Sequence, residues 1–266
     1  MEWRQRLNYV YVPVAIVVIW EVLAQLGWVP SRLLPAPSQV ASGLFDWVTG
    51  LTGTAEAYSG RWTRDAAATA VRVLTGFGLA IVTAVPLGVL IGWFRPVQRI
   101  LEPTIQLLRP IPPVSWIPLA IIWFGIADRP AIFLVFLGAF FPIIINTIHG
   151  VHGVERDLIR AATMMGATRA KLLQLVVVPA ALPAIFAGLR IAIGSAWMLT
   201  VTSEMVAVRS GIGYVLWDAY YFVRYDLVLA GMISVGVLGF ASDCVIRAIM
   251  NWALHWQRTL RFQQAG

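Results

Sequence analysis

The sequence predicts an all-α protein that crosses a membrane about six times. Three observations carry this expectation. Of its 266 residues, 59% are hydrophobic and only 12% are charged, where an average soluble domain has about 25% charged residues. The apolar residues gather in six runs close to the roughly 20 residues that a spanning helix needs. The arginines sit mostly between these runs, where basic residues orient a chain in a bilayer. The formal net charge of +7 is therefore read as a topology signal, and no nucleic-acid partner is expected.

The runs are 9–26, 71–94, 105–126, 131–148, 183–206 and 227–250. Glu21 lies inside the first, and no small-residue cleavage site follows it. An uncleaved first span is therefore expected rather than a signal peptide. Between runs one and two, Leu34-Pro-Ala-Pro-Ser38 reads as a turn. Ser38 is placed to cap a short amphipathic helix that runs through Trp47, and 50–60 reads as a loop. In the second run Ala84, Gly88 and Gly92 form a small-residue series that favours close helix packing, within the subunit rather than across a dimer. The third run is broken by Pro110, Pro112, Pro113 and Pro118. Proline removes an amide donor and clashes with the preceding turn, and such a break at membrane depth needs protein or a cavity around it.

Arg4, Arg6, Arg95, Arg99, Arg156, Arg160, Arg169, Lys171, Arg247, Arg258 and Arg261 fall on one side if six runs cross. The positive-inside rule makes that side cytoplasmic. Arg32, Arg61, Arg64, Arg129, Arg209 and Arg224 fall on the other, so the bias is moderate. Trp3, Trp28, Trp47, Trp62, Trp93 and Trp252 lie near the ends of the runs, as interfacial tryptophans do. The one cysteine, Cys244, excludes a disulfide framework. His149, His152 and His255 lack metal-ligand spacing, so no metal site is expected.

The segment between runs four and five reads Glu155-Arg-Asp-Leu-Ile-Arg160-Ala-Ala-Thr-Met-Met-Gly166-Ala-Thr168, then on to Val176-Val-Val178-Pro179. Leu158, Ile159, Ala162 and Met165 recur at helical spacing. Asp157 near the start complements the helix dipole. Gly166 suits a left-handed stop, Thr168 a second cap, and Pro179 the end of the second helix. The pattern is an amphipathic helix–turn–helix. Taken alone, it is equally compatible with an ordinary loop on the membrane surface.

Ala161, Ala162, Gly166, Val176, Val178 and Pro179 resemble the coupling-loop signature of ABC importer permeases, in which glycine follows the second alanine by four residues. Arg160 stands where that family often has glutamate, which bears on any acid-dependent contact there. Leu34-Pro-Ala-Pro-Ser38, Leu108-Arg-Pro-Ile-Pro-Pro113, Trp123-Phe-Gly-Ile126, Pro179-Ala-Ala-Leu-Pro183, Gly188-Leu-Arg190, Ser203-Glu-Met205 and Gly211-Ile-Gly213 resemble the sulfonate, taurine, nitrate and bicarbonate branch.

The resemblance implies a type I importer permease in a bacterial inner membrane, with a cytoplasmic coupling helix–turn–helix between spans four and five. It implies an N-terminal span and periplasmic segment over 1–66, a permease core over 67–252 with its loop at 149–182, and a cytoplasmic tail over 253–266. Its implied partners are a second permease copy as a homodimer, two cytoplasmic ABC ATPases that use ATP and magnesium, a periplasmic binding protein and the lipid bilayer. Asp157, Arg160, Ala161, Ala162, Gly166, Ala167, Thr168 and Pro179 are then the coupling residues. The small alanines would let the helix backbone approach its ATPase seat.

No cofactor is expected on this chain. Its sole lysine, Lys171, follows Ala170, so the G-K-[ST] end of a phosphate-binding loop is absent.

Charge inside a bilayer is costly and marks function or pairing. Arg109 reads either as a gate residue beside the proline break or as a side chain reaching the inner interface. Pro112, Pro113, Ser115, Trp116, Met198 and Glu204 complete the residues assigned to the translocation path or gate. For Glu204 a salt bridge or cap near the outer surface is the competing reading. Arg190 cannot pair with Glu204 on one helix, since fourteen residues separate them by about 21 Å. A stand-alone secondary transporter would show inverted repeats or several intramembrane acids, and a membrane enzyme a cluster of His, Asp or Cys at one face; neither pattern is evident. The substrate expected from the resemblance is a small anion, an aliphatic sulfonate or taurine first. Nitrate, bicarbonate or a thiamine-precursor-like molecule is the alternative.

Overall fold

A computed structural model describes residues 2–28, 30 and 34–255, with side chains from residue 11 onward. Arg32, Arg258 and Arg261, and the tail beyond residue 255, lie outside the described residues. Within them the regular elements are helices. They are α1 (Glu2–Gln25), α2 (Pro37–Thr49), α3 (Trp62–Trp93), α4 (Arg95–Leu108), α5 (Ile117–Phe124), α6 (Asp128–His152), α7 (Arg156–Met164), α8 (Arg169–Leu172), α9 (Val178–Ala207), α10 (Ile212–Tyr221) and α11 (Tyr225–Ala253). The chain divides into two compact units, Met1–Thr69 with Arg209–Gly236, and Ala70–Val208 with Val237–Gly266.

Among the described residues, four helices are long and apolar enough to cross a membrane: Trp62–Trp93, Asp128–His152, Arg169–Ala207 and Tyr225–Ala253. The expected third span is instead a broken pair. α4 and the segment Pro113–Phe124 meet at 87°, because Pro110, Pro112 and Pro113 remove three amide donors within four residues. The apolar stretch of α1, Tyr11–Gln25, is shorter than the other spans.

In the first unit a loop is wound around one side chain. Asp46 is fully buried, and its carboxylate accepts from the amides of Thr52, Gly53 and Ala55 at 2.7 Å each and from the Ser59 hydroxyl. Burial alone would raise its pKa. The Ser59 hydroxyl and the three amides outweigh that and hold it below the usual carboxylate range. Gly50 ends α2 at φ +69°, and a Cβ there would lie 3.2 Å from the Gly60 nitrogen.

Ser38 is not the cap of α2. Pro37 takes the first helical position behind Ala36, and the Gln39 side chain accepts the Ala36 amide at 3.2 Å. Ser38 instead gives its amide (3.0 Å) and hydroxyl (2.8 Å) to Glu21, which ties α2 to α1.

The second unit is built on two close helix pairs. A Cβ at Gly76, Gly88 or Gly92 of α3 would come within 2.7 Å of Val135, Thr147 or Val151 of α6. The small-residue seam is thus a packing face inside the subunit. A Cβ at Gly188 of α9 would meet Asn146 of α6 at 2.7 Å.

Candidate functional site

Two features of the second unit carry chemistry. The first is a cavity of about 520 Å³ lined by α6, α9 and the break after α4. Pro112 and Pro113 line it because they end α4 and open its wall. Arg109, the C-terminal cap of α4, is its one charged lining residue. Among the described residues the Arg109 guanidinium has no hydrogen bond and no ion pair. Asn146 and Ser195 supply the other polar groups, and Met198 and Phe141 belong to a mainly apolar wall. Asn146 spends one amide hydrogen on the Pro142 carbonyl at 2.8 Å, and Ser195 bonds to Ile191 O at 3.3 Å. A mainly apolar cavity whose one charged lining residue is an exposed arginine with no acid beside it in the lining favours an anionic guest.

Arg109, Pro112, Pro113 and Met198 come together at this cavity. Ser115 and Trp116 do not line it. Ser115 donates its amide to Pro112 O at 2.9 Å, and Trp116 packs 6.4 Å from Trp123. Glu204 is also absent from the lining. It is fully buried and paired with Arg72, which bonds Asp128 at 2.7 Å as well. A carboxylate at that depth is stable only with a partner, and α3 supplies one. Arg190 finds its partner on another helix, in a two-pronged bond to Asp243 at 2.8 and 3.2 Å.

Asn146, Ser195, Arg72 and Asp243 were not singled out from the sequence. The signal that could have found them is that each is a polar residue inside or beside an apolar run.

The second feature is the helix–turn–helix α7–α8. Gly166 has φ +81°. Its amide bonds to Thr163 O at 3.0 Å, and Ala167 N bonds to Ala162 O at 3.1 Å, which together close a Schellman stop. Thr168 caps α8 by accepting from Lys171 N at 3.5 Å. Asp157 pairs with Arg160 at 3.4 Å, both exposed. The two alanines divide: Ala162 is buried inside the chain, and Ala161 is exposed. Only Ala161 is therefore free for close approach, on a face with Leu158, Met164 and Met165 in the open.

Pro179 does not end the second helix. A π-helical turn, Leu173–Val177, carries α8 into α9, and Pro179 sits in the first turn after it. That register change frees an amide position that proline can occupy without losing a bond. A buried core of Val151, Val154, Val177, Ala181 and Ile185 takes Ile159 and Leu173 of the loop, and Val89 and Trp93 of α3, against it.

Residues 84–252, more than half of the chain, match the family described as binding-protein-dependent transport system inner membrane component. This chain belongs to that family. It is a permease subunit of an ABC importer, an inner-membrane protein, and both the cavity and the α7–α8 loop lie within the matched residues. A putative ABC transporter permease of Methanocaldococcus jannaschii is 41% identical over 94% of this chain and 91% of its own length. A putative aliphatic sulfonates transport permease, SsuC of Escherichia coli, is 34% identical over 99% of this permease and 97% of its own length. The E. coli taurine transport system permease TauC is 34% identical over 91% of this chain and 86% of its own. A bicarbonate transport system permease of Synechococcus elongatus also matches, over 95% and 92%. Among solved structures, a chain of the MetNI methionine ABC transporter in inward-facing conformations covers 70% of this permease and 95% of itself. Its TM-score is 0.58 at 22% identity, so that likeness is one of fold.

Proposed function

We propose that this permease forms the translocation path for a small anion, an aliphatic sulfonate or taurine before bicarbonate or nitrate. The observation that carries the reading is Arg109, an unpartnered guanidinium in a mainly apolar cavity whose lining holds no acid. Planar, forked donors suit sulfonate and carboxylate oxygens. Three of the relatives are named for taurine, aliphatic sulfonates and bicarbonate, and each of these carries an anionic group at neutral pH.

The working unit is two copies of this permease, two cytoplasmic ABC ATPases that bind ATP and magnesium, and a periplasmic binding protein that delivers the anion. The α7–α8 loop seats in the ATPase through Ala161 and its apolar neighbours. This chain hydrolyses no ATP, since its single lysine lies outside any phosphate-binding loop.

The test is uptake of labelled taurine into proteoliposomes holding the complete transporter and its binding protein. Arg109→Gln is expected to cut uptake per assembled complex about tenfold or more, the scale of a lost charged hydrogen bond, and Arg109→Lys to restore part of it. Equal uptake by wild type and Arg109→Gln would overturn the anion reading of the cavity. Wild-type uptake that needs no ATPase subunit would overturn the importer assembly.

A further inference from the structure

A second pocket, away from the translocation cavity, has no role in the reading above. It holds about 330 Å³ and is lined by Trp93, Phe94, Arg95, Pro96 and Arg169. The first four residues are the end of α3 and the start of α4. Arg169 comes from far along the chain, where it opens α8. We propose that this pocket binds the phosphate of an anionic membrane lipid.

The electrostatics call for an anion. Two arginines from separate segments line one small pocket, and the lining holds no carboxylate. Among the described residues neither side chain has a hydrogen bond or an ion pair. Like charges brought together without a counter-ion repel, so the arrangement is relieved when an anion enters. Arginine forks match phosphate oxygens in two-pronged geometry.

Position selects a lipid as the source. The pocket lies at the end of the apolar helix Trp62–Trp93, where a span leaves the hydrocarbon. Trp93 is the residue type that settles at headgroup depth, and the neighbouring Phe94 is 40% exposed. Arg95 and Arg169 fall on the side where basic residues concentrate, which faces the anionic leaflet. A phosphate held by both arginines staples the α7–α8 loop to the α3–α4 junction. The binding site stands without the transport reading; only the consequence for coupling rests on it.

The experiment is native mass spectrometry of the purified transporter after exchange into phosphatidylglycerol or phosphatidylcholine. Wild type is expected to retain phosphatidylglycerol about tenfold or more over phosphatidylcholine, since each basic residue near a surface adds to anionic-lipid affinity. The double variant Arg95→Gln with Arg169→Gln should lose that preference, and the double lysine variant should keep part of it. Both positions are exposed, and an unchanged gel-filtration profile confirms that the variants fold. Equal retention of the two lipids by wild type overturns the proposal. So does displacement of phosphatidylglycerol by inorganic phosphate at equal concentration, which would make the site one for free phosphate. A glutamine variant that keeps its lipid but sheds the ATPase overturns it too, and would assign the arginines to the ATPase interface.

Discussion

Gly166 shows how one residue's backbone angle reaches function. At φ +81° a Cβ meets no atom within 4 Å, so a substitution there is opposed by backbone strain and not by a clash. The strain is greatest for a branched side chain. Gly166→Val is expected to leave the permease inserted and assembled while abolishing ATP-driven uptake, because the Schellman stop that aims α7 would open. Uptake and ATPase activity in proteoliposomes, normalised to assembled complex, check this; normal uptake would refute it. Glu204 gives the opposite case. Glu204→Ala removes the buried acid that faces Arg72, itself 3% exposed and still held by Asp128, and a buried donor that loses one acceptor costs about 1–3 kcal/mol. The melting temperature of the complex should fall while uptake per surviving complex stays unchanged. A normal melting temperature with lost uptake would return Glu204 to the translocation path. The turn at Gly166 was legible because glycine, its capping threonine and the helical spacing are all local signals. The partner of Glu204 was not, because Arg72 lies on a different helix and pairing across helices depends on packing that spacing does not reveal.

At the scale of elements, the seam between α3 and α6 is set by glycines, and its strength can be measured against an internal control. A Cβ at Gly88 would lie 2.7 Å from the Cβ of Thr147, an atom that cannot swing aside, while one at Gly78 on the same helix meets nothing within 4 Å. Gly88→Val should therefore cost about 1–3 kcal/mol by overpacking, read as a lower melting temperature and a smaller yield of monodisperse permease. Gly78→Val should match wild type in both. Equal behaviour of the two variants would disprove the seam. The small-residue spacing exposed this seam in the sequence, and the prolines exposed the break after α4. Two elements were misjudged from local cues. Ser38 has the chemistry of a cap, but Pro37 had already claimed the first helical position. Pro179 reads as a stop, but the π-helical turn before it had already removed the bond that proline would have broken.

For the whole molecule, the basic residues predict which side each segment faces. With Cys244 replaced by alanine, a cysteine at position 53 should react with a membrane-impermeant reagent in intact cells. One at position 164, in a loop where Met164 is 87% exposed, should react only after permeabilisation. The reverse pattern would invert the topology. Of the six runs expected to cross, four are spanning helices, the proline-broken pair would make a fifth, and the apolar stretch of α1 is shorter than a span needs, since composition reports apolar length but not whether a bent or short segment crosses. Arg169–Ala207 runs as one 39-residue helix, from the α7–α8 loop to the cavity wall holding Ser195 and Met198. Lys171 and Ser195 are thus about 36 Å apart along one continuous helical run, in which the π-helical turn and Pro183 are the two places where the winding departs from a plain α-helix. The wide turn at Leu173–Val177 sets the phase of that run. Its five residues turn about as far as four α-helical ones, so it takes up one residue without loss of register; a residue inserted in the α-helical stretch beyond it would swing the loop about 100° against the cavity wall, a mistimed camshaft with every tooth intact.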